Sequence, residues 1–390
     1  MLAHSPPLPL IIDYFNDHDI TEKDEKAIIL ALEQRNRVRR IRLQTRPRIL
    51  QKLVMLIEEE CPILECLITM APITMAALED GSTTSILPET LQAPHLRHLM
   101  VVGFTPPIAT RLITTTVGLV TLCLTVAHPS AYIQPAVPLQ WLSFIPQLEV
   151  LVIYFTFPVP KRDVERQLMH TPIMTHIALP NLRGFWVQGV SAYFEALFHR
   201  IITPRLERLE ITYATQLIFS VPRLLQFMGE IENLRFGRAD FKFYCRRVYV
   251  LAYPPEAKPF AFHISVVCWH LDWQVSSAAQ ISNSLSQLFS AVEHLTLGHD
   301  QSSEEHNMVD RTEWHKLLKS FKNVNTLRVD NGFIGELSRY LRLEDGELPL
   351  EVLPELQELS YSGGRTAGDT FKPFIAARQS AGRPVTMIPL

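Results

Sequence analysis

Between residues 35 and 48 the chain reads RNRVRRIRLQTRPR, its sharpest charge feature. Guanidinium groups held side by side grip phosphate or carboxylate through paired hydrogen bonds, so the stretch could hold nucleic acid or an acidic peptide. No aromatic residue interleaves with these arginines, and EKDEK before the run and EEE after it balance its charge. That disfavours nucleic acid and leaves either a basic rim for an acidic protein partner or a solvated surface. GGRTAG (363–368) has the glycines of a phosphate loop but lacks the Lys-Ser/Thr ending, so it reads as a C-terminal turn. His294 and His299 flank a strand end, and Asp300, Glu304, Glu305 and His306 form an acidic loop. Metal ligation needs ligands that converge at defined spacing, so no metal site is expected there. Cys61 and Cys66 read as one packed and one surface thiol, and Trp269 and Trp273 as packing residues. No GxSxG, HExxH or Gly-rich loop after a strand occurs, and no nucleophile–base or carboxylate pair stands out. The expectation is a non-catalytic chain without a cofactor.

The bulk numbers agree with a soluble globular class. Of 390 residues, 47% are hydrophobic and 20% charged, and the formal net charge of −3 speaks against a dedicated nucleic-acid binder. The five cysteines are odd in number, contain no CxxC pair, and accompany no Asn-x-Ser/Thr acceptor, which suits a reducing compartment. MLAHSPPLPLII lacks the basic start and helix-forming core of a signal peptide. The most apolar window, Leu112 to Ala127, is rich in Thr and shorter than the roughly 20 residues that span a bilayer. The expected location is cytoplasmic or nuclear, with no membrane partner.

What must position these residues is a repeat. TPRLERLEIT (203–212) has relatives at APHLRHLMVV (93–102), IPQLEVLVIY (145–154), LPNLRGFWVQ (179–188) and LPELQELSYS (353–362). Each unit has a first apolar anchor, a second three positions on, and a third two beyond that. The anchors are Val38, Leu64, Leu96, Leu119, Leu148, Leu182, Leu206, Leu234, Val292, Val324 and Leu356, with a degenerate unit near Ile264 and a possible close at Val385. Units at Leu64 and Leu234 are weak, with Thr69, Gly237 and Ala239 in apolar places. Their spacing averages about 29 residues, at the long end of leucine-rich repeats. Apolar residues two apart face one side of a strand, and such strands hide their shared edge only by stacking. Parallel strands need crossovers, and 21–35, 190–201, 277–292, 311–321 and 370–379 carry helical spacing, Thr21 and Asp24 forming a capping box. The expected fold is α/β: a leucine-rich-repeat horseshoe with a parallel concave sheet and convex helices. Residues 1–35 form an N-terminal capping segment with a helix and 36–390 one continuous array. The Asn or Cys that regular repeats carry after the third apolar position is replaced by Phe104, Ala127, Thr156, Val190 and Ala214.

SPPLPLII (5–12), LEQRNRVRRIRL (32–43), LPETLQAPHLRHL (87–99), LPNLRGFWVQG (179–189), ELPLEVLPELQELSYSG (347–363) and AGRPVTM (381–387), in this order, resemble the leucine-rich-repeat portion of fungal F-box-like proteins. The resemblance implies a substrate receptor of an SCF-type ubiquitin ligase. In that family an F-box, which docks on a Skp-type adaptor, lies shortly before a segment like SPPLPLII, where this chain begins. A Skp-type adaptor is therefore expected as a partner only if an F-box is encoded upstream; otherwise the chain is a paralogue that only binds.

The register also places an interaction face. Residues two and four after each anchor point away from the core, giving Arg40 and Arg42, Cys66 and Ile68, His98 and Met100, Thr121 and Cys123, Val150 and Val152, Gly184 and Trp186, then Arg208 and Glu210. Met70, Val102, Tyr154 and Gln188 follow on the same face. The expected partner-binding set is Arg40, Arg42, Ile68, Met70, His98, Met100, Cys123, Val150, Val152, Tyr154, Trp186 and Arg208. Apolar patches rimmed by arginine mark interaction sites, and the partner is expected to be a protein. The competing reading is that these positions are covered, or that the register slips by one and they are core.

Overall fold

The repeated Pro-x-Leu stretches fold into the same turn. The anchor N–H donates to the carbonyl three residues earlier at Leu64 to Cys61 (3.2 Å), Leu96 to Ala93 (3.0 Å), Leu148 to Ile145 (3.2 Å), Leu182 to Leu179 (3.2 Å), Leu206 to Thr203 (3.3 Å) and Leu356 to Leu353 (3.1 Å). Pro62, Pro94, Pro146, Pro180, Pro204 and Pro354 each take the second place of such a turn, where the ring's fixed φ is already correct. The anchor leucine is buried at the turn's end, and the strand begins two residues later. Burying one such leucine contributes about 2 kcal/mol.

The computed structural model describes residues 8–16, 20–57, 60–71, 85–105, 111–127, 132–156, 176–214, 221–231, 234–255, 261–299, 309–342, 350–362 and 368–390. They form two compact units, Met1–Leu206 and Glu207–Leu390. The fold is α/β in both.

The strands of the first unit are β1 (Leu10–Phe15), β2 (Val38–Gln44), β3 (Cys66–Met70), β4 (Ser85–Ile86), β5 (His98–Val102), β6 (Phe104–Thr105), β7 (Thr121–Val126), β8 (Val150–Phe155), β9 (Ile177–Ala178), β10 (Gly184–Gly189) and β11 (Ile201–Ile202). The main sheet runs β1-β2-β3-β5-β7-β8-β10, each strand parallel to its neighbour in chain order. The two-residue strands pair separately, β4 with β6 and β9 with β11. Helices α1 (Glu22–Leu32), α2 (Pro47–Val54), α3 (Arg111–Thr115), α4 (Ala136–Leu142) and α5 (Ser191–Phe198) lie in the connections. Thr21 caps α1, its Oγ1 accepting from the Asp24 N–H at 3.1 Å. Aromatic rings fill the core beneath β8 and β10: Phe155 meets Tyr193 edge-on at 4.8 Å and Phe185 meets Phe198 at 5.7 Å. Residues 1–35, expected to be a cap, thus contribute a strand as well as a helix.

The second unit holds β12 (Arg208–Ala214), β13 (Arg238–Tyr244), β14 (Arg247–Tyr253), β15 (Ala261–Val267), β16 (His294–His299), β17 (Thr326–Val329), β18 (Glu358–Tyr361) and β19 (Thr386–Pro389). Its helices are α6 (Pro222–Gly229), α7 (Leu271–Ser284), α8 (Ser286–Phe289), α9 (Arg311–Leu318), α10 (Ile334–Leu341) and α11 (Lys372–Ser380). The sheet order is β12-β15-β14-β13-β16-β17-β18-β19. Here the expectation of a wholly parallel sheet fails: β14 is antiparallel to both β13 and β15. The reason is length. Only Cys245 and Arg246 separate β13 from β14, and two residues close a hairpin whereas a parallel crossover needs a dozen or more. Val248, Val250 and Ala252 of β14 are buried, a period-two pattern that the anchor spacing does not contain.

Candidate functional site

The parallel register turns single strand positions into rows. Asp13, Arg42, Ile68 and Met100 are successive partners across β1, β2, β3 and β5, and Met100, Cys123, Val152 and Trp186 continue the row to β10. A flanking row carries Ile11, Arg40, Cys66 and His98, then Thr121, Val150 and Gly184. The other flank carries Phe15, Gln44, Met70 and Val102, then Thr125, Tyr154 and Gln188. The residues between them, such as Ile41, Leu67, Leu99, Leu151 and Phe185, are buried against the helices. All the expected binding residues of this unit therefore share one face of one sheet.

Most of that face is half-buried: Arg40, Arg42, Ile68, Met70, Met100, Val150, Val152, Tyr154 and Trp186 are partly accessible and His98 is exposed. Cys66 and Cys123 are small members of the rows and are buried. Burial pushes the Cys123 thiol up to about 11, against a smaller lowering by a hydrogen bond with Thr125, so the thiol is neutral and unreactive at neutral pH. With Cys61 also buried, the expected surface thiol of the Cys61/Cys66 pair is absent and the exposed cysteine is Cys245.

At the arginine end the face forms a cavity of about 410 Å³, lined among others by Ile11, Arg40, Arg42, Ile68, His98 and Met100. Arg39, Glu65 and Arg97 stand on its wall. Arg39 Nε pairs with Glu65 at 2.9 Å, and His98 Nδ1 lies 3.1 Å from Thr121 Oγ1. Among the described residues, the guanidinium groups of Arg40, Arg42 and Arg97 have no hydrogen-bond or ion-pair partner. Arg42 Nε is shielded from solvent without a partner.

Sequence reasoning missed the contribution of β1. Ile11 and Phe15 are 59% and 53% exposed and extend the face, although LIIDYF behind Pro9 carried the β-rich composition of a strand.

Arg208 belongs to the second unit and donates to Glu210 at 3.3 Å. Glu210 also meets His263 Nδ1 at 3.5 Å, and the His263 ring stacks on Tyr249 at 5.1 Å. The hydrogen bond from His263, helped by its charge and by Arg208, holds the Glu210 carboxyl below the usual carboxylate range despite burial. Nearby on the same sheet Arg238 grips Asp240 with two bonds of 3.0 and 3.1 Å beside a cavity of about 460 Å³. The register marks Arg208 and Glu210 but not His263, Tyr249, Arg238 or Asp240, because the β13–β14 hairpin leaves β15, not β13, paired with β12. Trp269 and Trp273 are exposed rather than packed, with the Arg246 guanidinium 4.1 Å from the Trp269 ring centre.

Among the described residues no group of three or more His, Cys, Asp or Glu side chains could hold a metal ion, and no helix is long and apolar enough to cross a membrane. Residues 300–308, with the acidic loop, and 363–367 of GGRTAG lie outside the described residues. No protein-family model matches the chain, and no curated protein matches it.

Proposed function

We propose that the chain is a non-catalytic protein-interaction module, a leucine-rich-repeat solenoid that captures a protein partner on the sheet face of its first unit. One observation carries this reading: seven parallel strands in register present Ile68, Met100, Val152 and Trp186 in a continuous row beside Arg40 and Arg42. Parallel sheets normally have both faces covered, so a partly open apolar face with arginine beside it is a surface prepared for a partner. The motif order shared with fungal F-box-like receptors supports a role in substrate capture for an SCF-type ubiquitin ligase, in the cytoplasm or nucleus. A Skp-type adaptor would enter only through an F-box.

The test is affinity capture with the full chain as bait, comparing wild type with the double variant Trp186→Asp, Val152→Asp. A specific protein should be retained by wild type and by the control Leu30→Asp, on α1, and lost by the double variant, with circular dichroism unchanged. Equal capture by all three baits, or loss of folding in the double variant, would defeat the reading.

A further inference from the structure

We infer that the cavity around Arg40 and Arg42 takes an acidic segment of a peptide chain, one oxyanion held among the guanidinium groups with an apolar side chain against Ile68 and Met100. This rests on the reading that the sheet face binds protein, and it names the chemistry of what is bound.

Charge comes first. Among the described residues that line the cavity, four arginines, Arg39, Arg40, Arg42 and Arg97, and His98 face a single carboxylate, Glu65. Glu65 is engaged by Arg39, and Asp13, the partner of Arg42 on the neighbouring strand, makes no ion pair with it. Among the described residues the positive charge of Arg40, Arg42 and Arg97 is therefore uncompensated at close range, and Arg42 Nε has a bond left unmade. Guanidinium groups in this state, two of them on the half-buried Arg40 and Arg42, attract an oxyanion through short, charge-assisted and paired hydrogen bonds.

The lining is also apolar. Ile11, Ile68 and Met100 share the cavity with the arginines, which suits an amphipathic ligand better than a bare ion. Its volume of about 410 Å³ lies within the roughly 300–1,000 Å³ usual for sites that enclose a ligand. A nucleic acid would want a basic track with stacking aromatics, and among the described residues neither tryptophan nor tyrosine lines this cavity. The oxyanion can be a carboxylate or a phosphoryl group, since both fit the same donors.

A random-peptide display library selected on the immobilised full chain tests this. Selected peptides should carry acidic residues next to apolar ones. They should bind the Arg40→Gln, Arg42→Gln variant about tenfold or more weakly, and weaken as salt is raised. Replacing the selected acidic residue by phosphoserine tells which oxyanion is preferred, and tight binding by either form supports the inference. The variant should melt at the wild-type temperature or higher, because like charges have been removed; a structural role would lower it. Peptides without acidic residues that are lost on Trp186→Asp, Val152→Asp would overturn the acidic chemistry and leave the face reading standing. Peptides indifferent to both variants, or no enrichment at all, would overturn both. Displacement of selected acidic peptides by a single-stranded oligonucleotide at equal charge concentration would point to nucleic acid instead.

Discussion

The indole of Trp186 lies over Gly184, two residues back on the same strand and face. A Cβ placed on Gly184 would stand 2.1 Å from Cζ3 and 2.3 Å from Cη2 of the ring. Glycine is required there by the indole and not by the backbone torsion, which is ordinary for a strand. Gly184→Ala should therefore push the ring off its seat, moving the Trp186 indole N–H resonance and weakening partner capture. The fold should lose only about 1 kcal/mol, since the ring can swing. An unmoved resonance would mean that the ring is not seated over Gly184.

Leu151 and Val152 are neighbours in β8 with opposite fates: Leu151 is fully buried and Val152 is half-accessible. Leu151→Ala should cost about 3 kcal/mol in chemical denaturation, the range for a leucine removed from a packed core, and Val152→Ala about 1 kcal/mol or less. Equal losses would show that the face assignment is wrong by one residue.

The Glu210–His263 contact gives a pH signature. A carboxyl whose folded pKa is depressed contributes stability that is present above its unfolded pKa and lost as pH falls through the folded value. Wild-type stability should thus decline on the acid side of the ordinary carboxylate range, and Glu210→Gln should flatten that decline. Urea midpoints measured between neutral pH and about pH 3 check it; parallel curves would remove Glu210 from the explanation.

Thiol accessibility is equally specific. Burial raises Cys61 and Cys123 to about 11 and Cys268 to about 12. Cys66 is buried and Cys245 exposed. Iodoacetamide at mildly alkaline pH should label Cys245 in the native chain and all five thiols in denaturant, as read by peptide mass spectrometry. The stability contributed by the raised thiols is complete below their ordinary pKa and drains away as pH climbs toward about 11 to 12. Early labelling of Cys123 would show that the sheet face opens.

Arg378 of α11 is fully buried and ties one loop together. Its Nη1 donates to the Leu353 carbonyl at 3.2 Å, and Nη2 to those of Pro354 and Leu356, both at 3.0 Å. Leu353 sits at φ 49°, a left-handed conformation that leucine adopts only when held. Arg378→Ala should destabilise the chain by about 3 kcal/mol, because it takes a charged donor from three carbonyls, two of which, those of Pro354 and Leu356, it leaves without the bond they had. Arg378→Lys should recover only part, lacking the planar fork. Thermal melts of the full chain decide between these outcomes and a neutral effect.

The sequence by itself determined which anchor residues the repeat strands bury, where the Pro-x-Leu turns start the strands, and where α1, α5, α9 and α11 form. These depend on local facts: a two-residue side-chain period, the fixed φ of proline, and a capping threonine. Tertiary structure alone decided the rest. The arginine cavity exists because β1, β2, β3 and β5 pair in one register, bringing Ile11, Arg40, Ile68 and Met100 together from positions up to 89 apart in the chain. The antiparallel β14 follows from a two-residue link that overrides the expected crossover, and it sets Tyr249 beside His263, whose strand pairs directly with that of Glu210, a neighbourhood no repeat spacing encodes. Neighbour relations between strands arise from pairing energies summed over the whole sheet, and no single segment carries them.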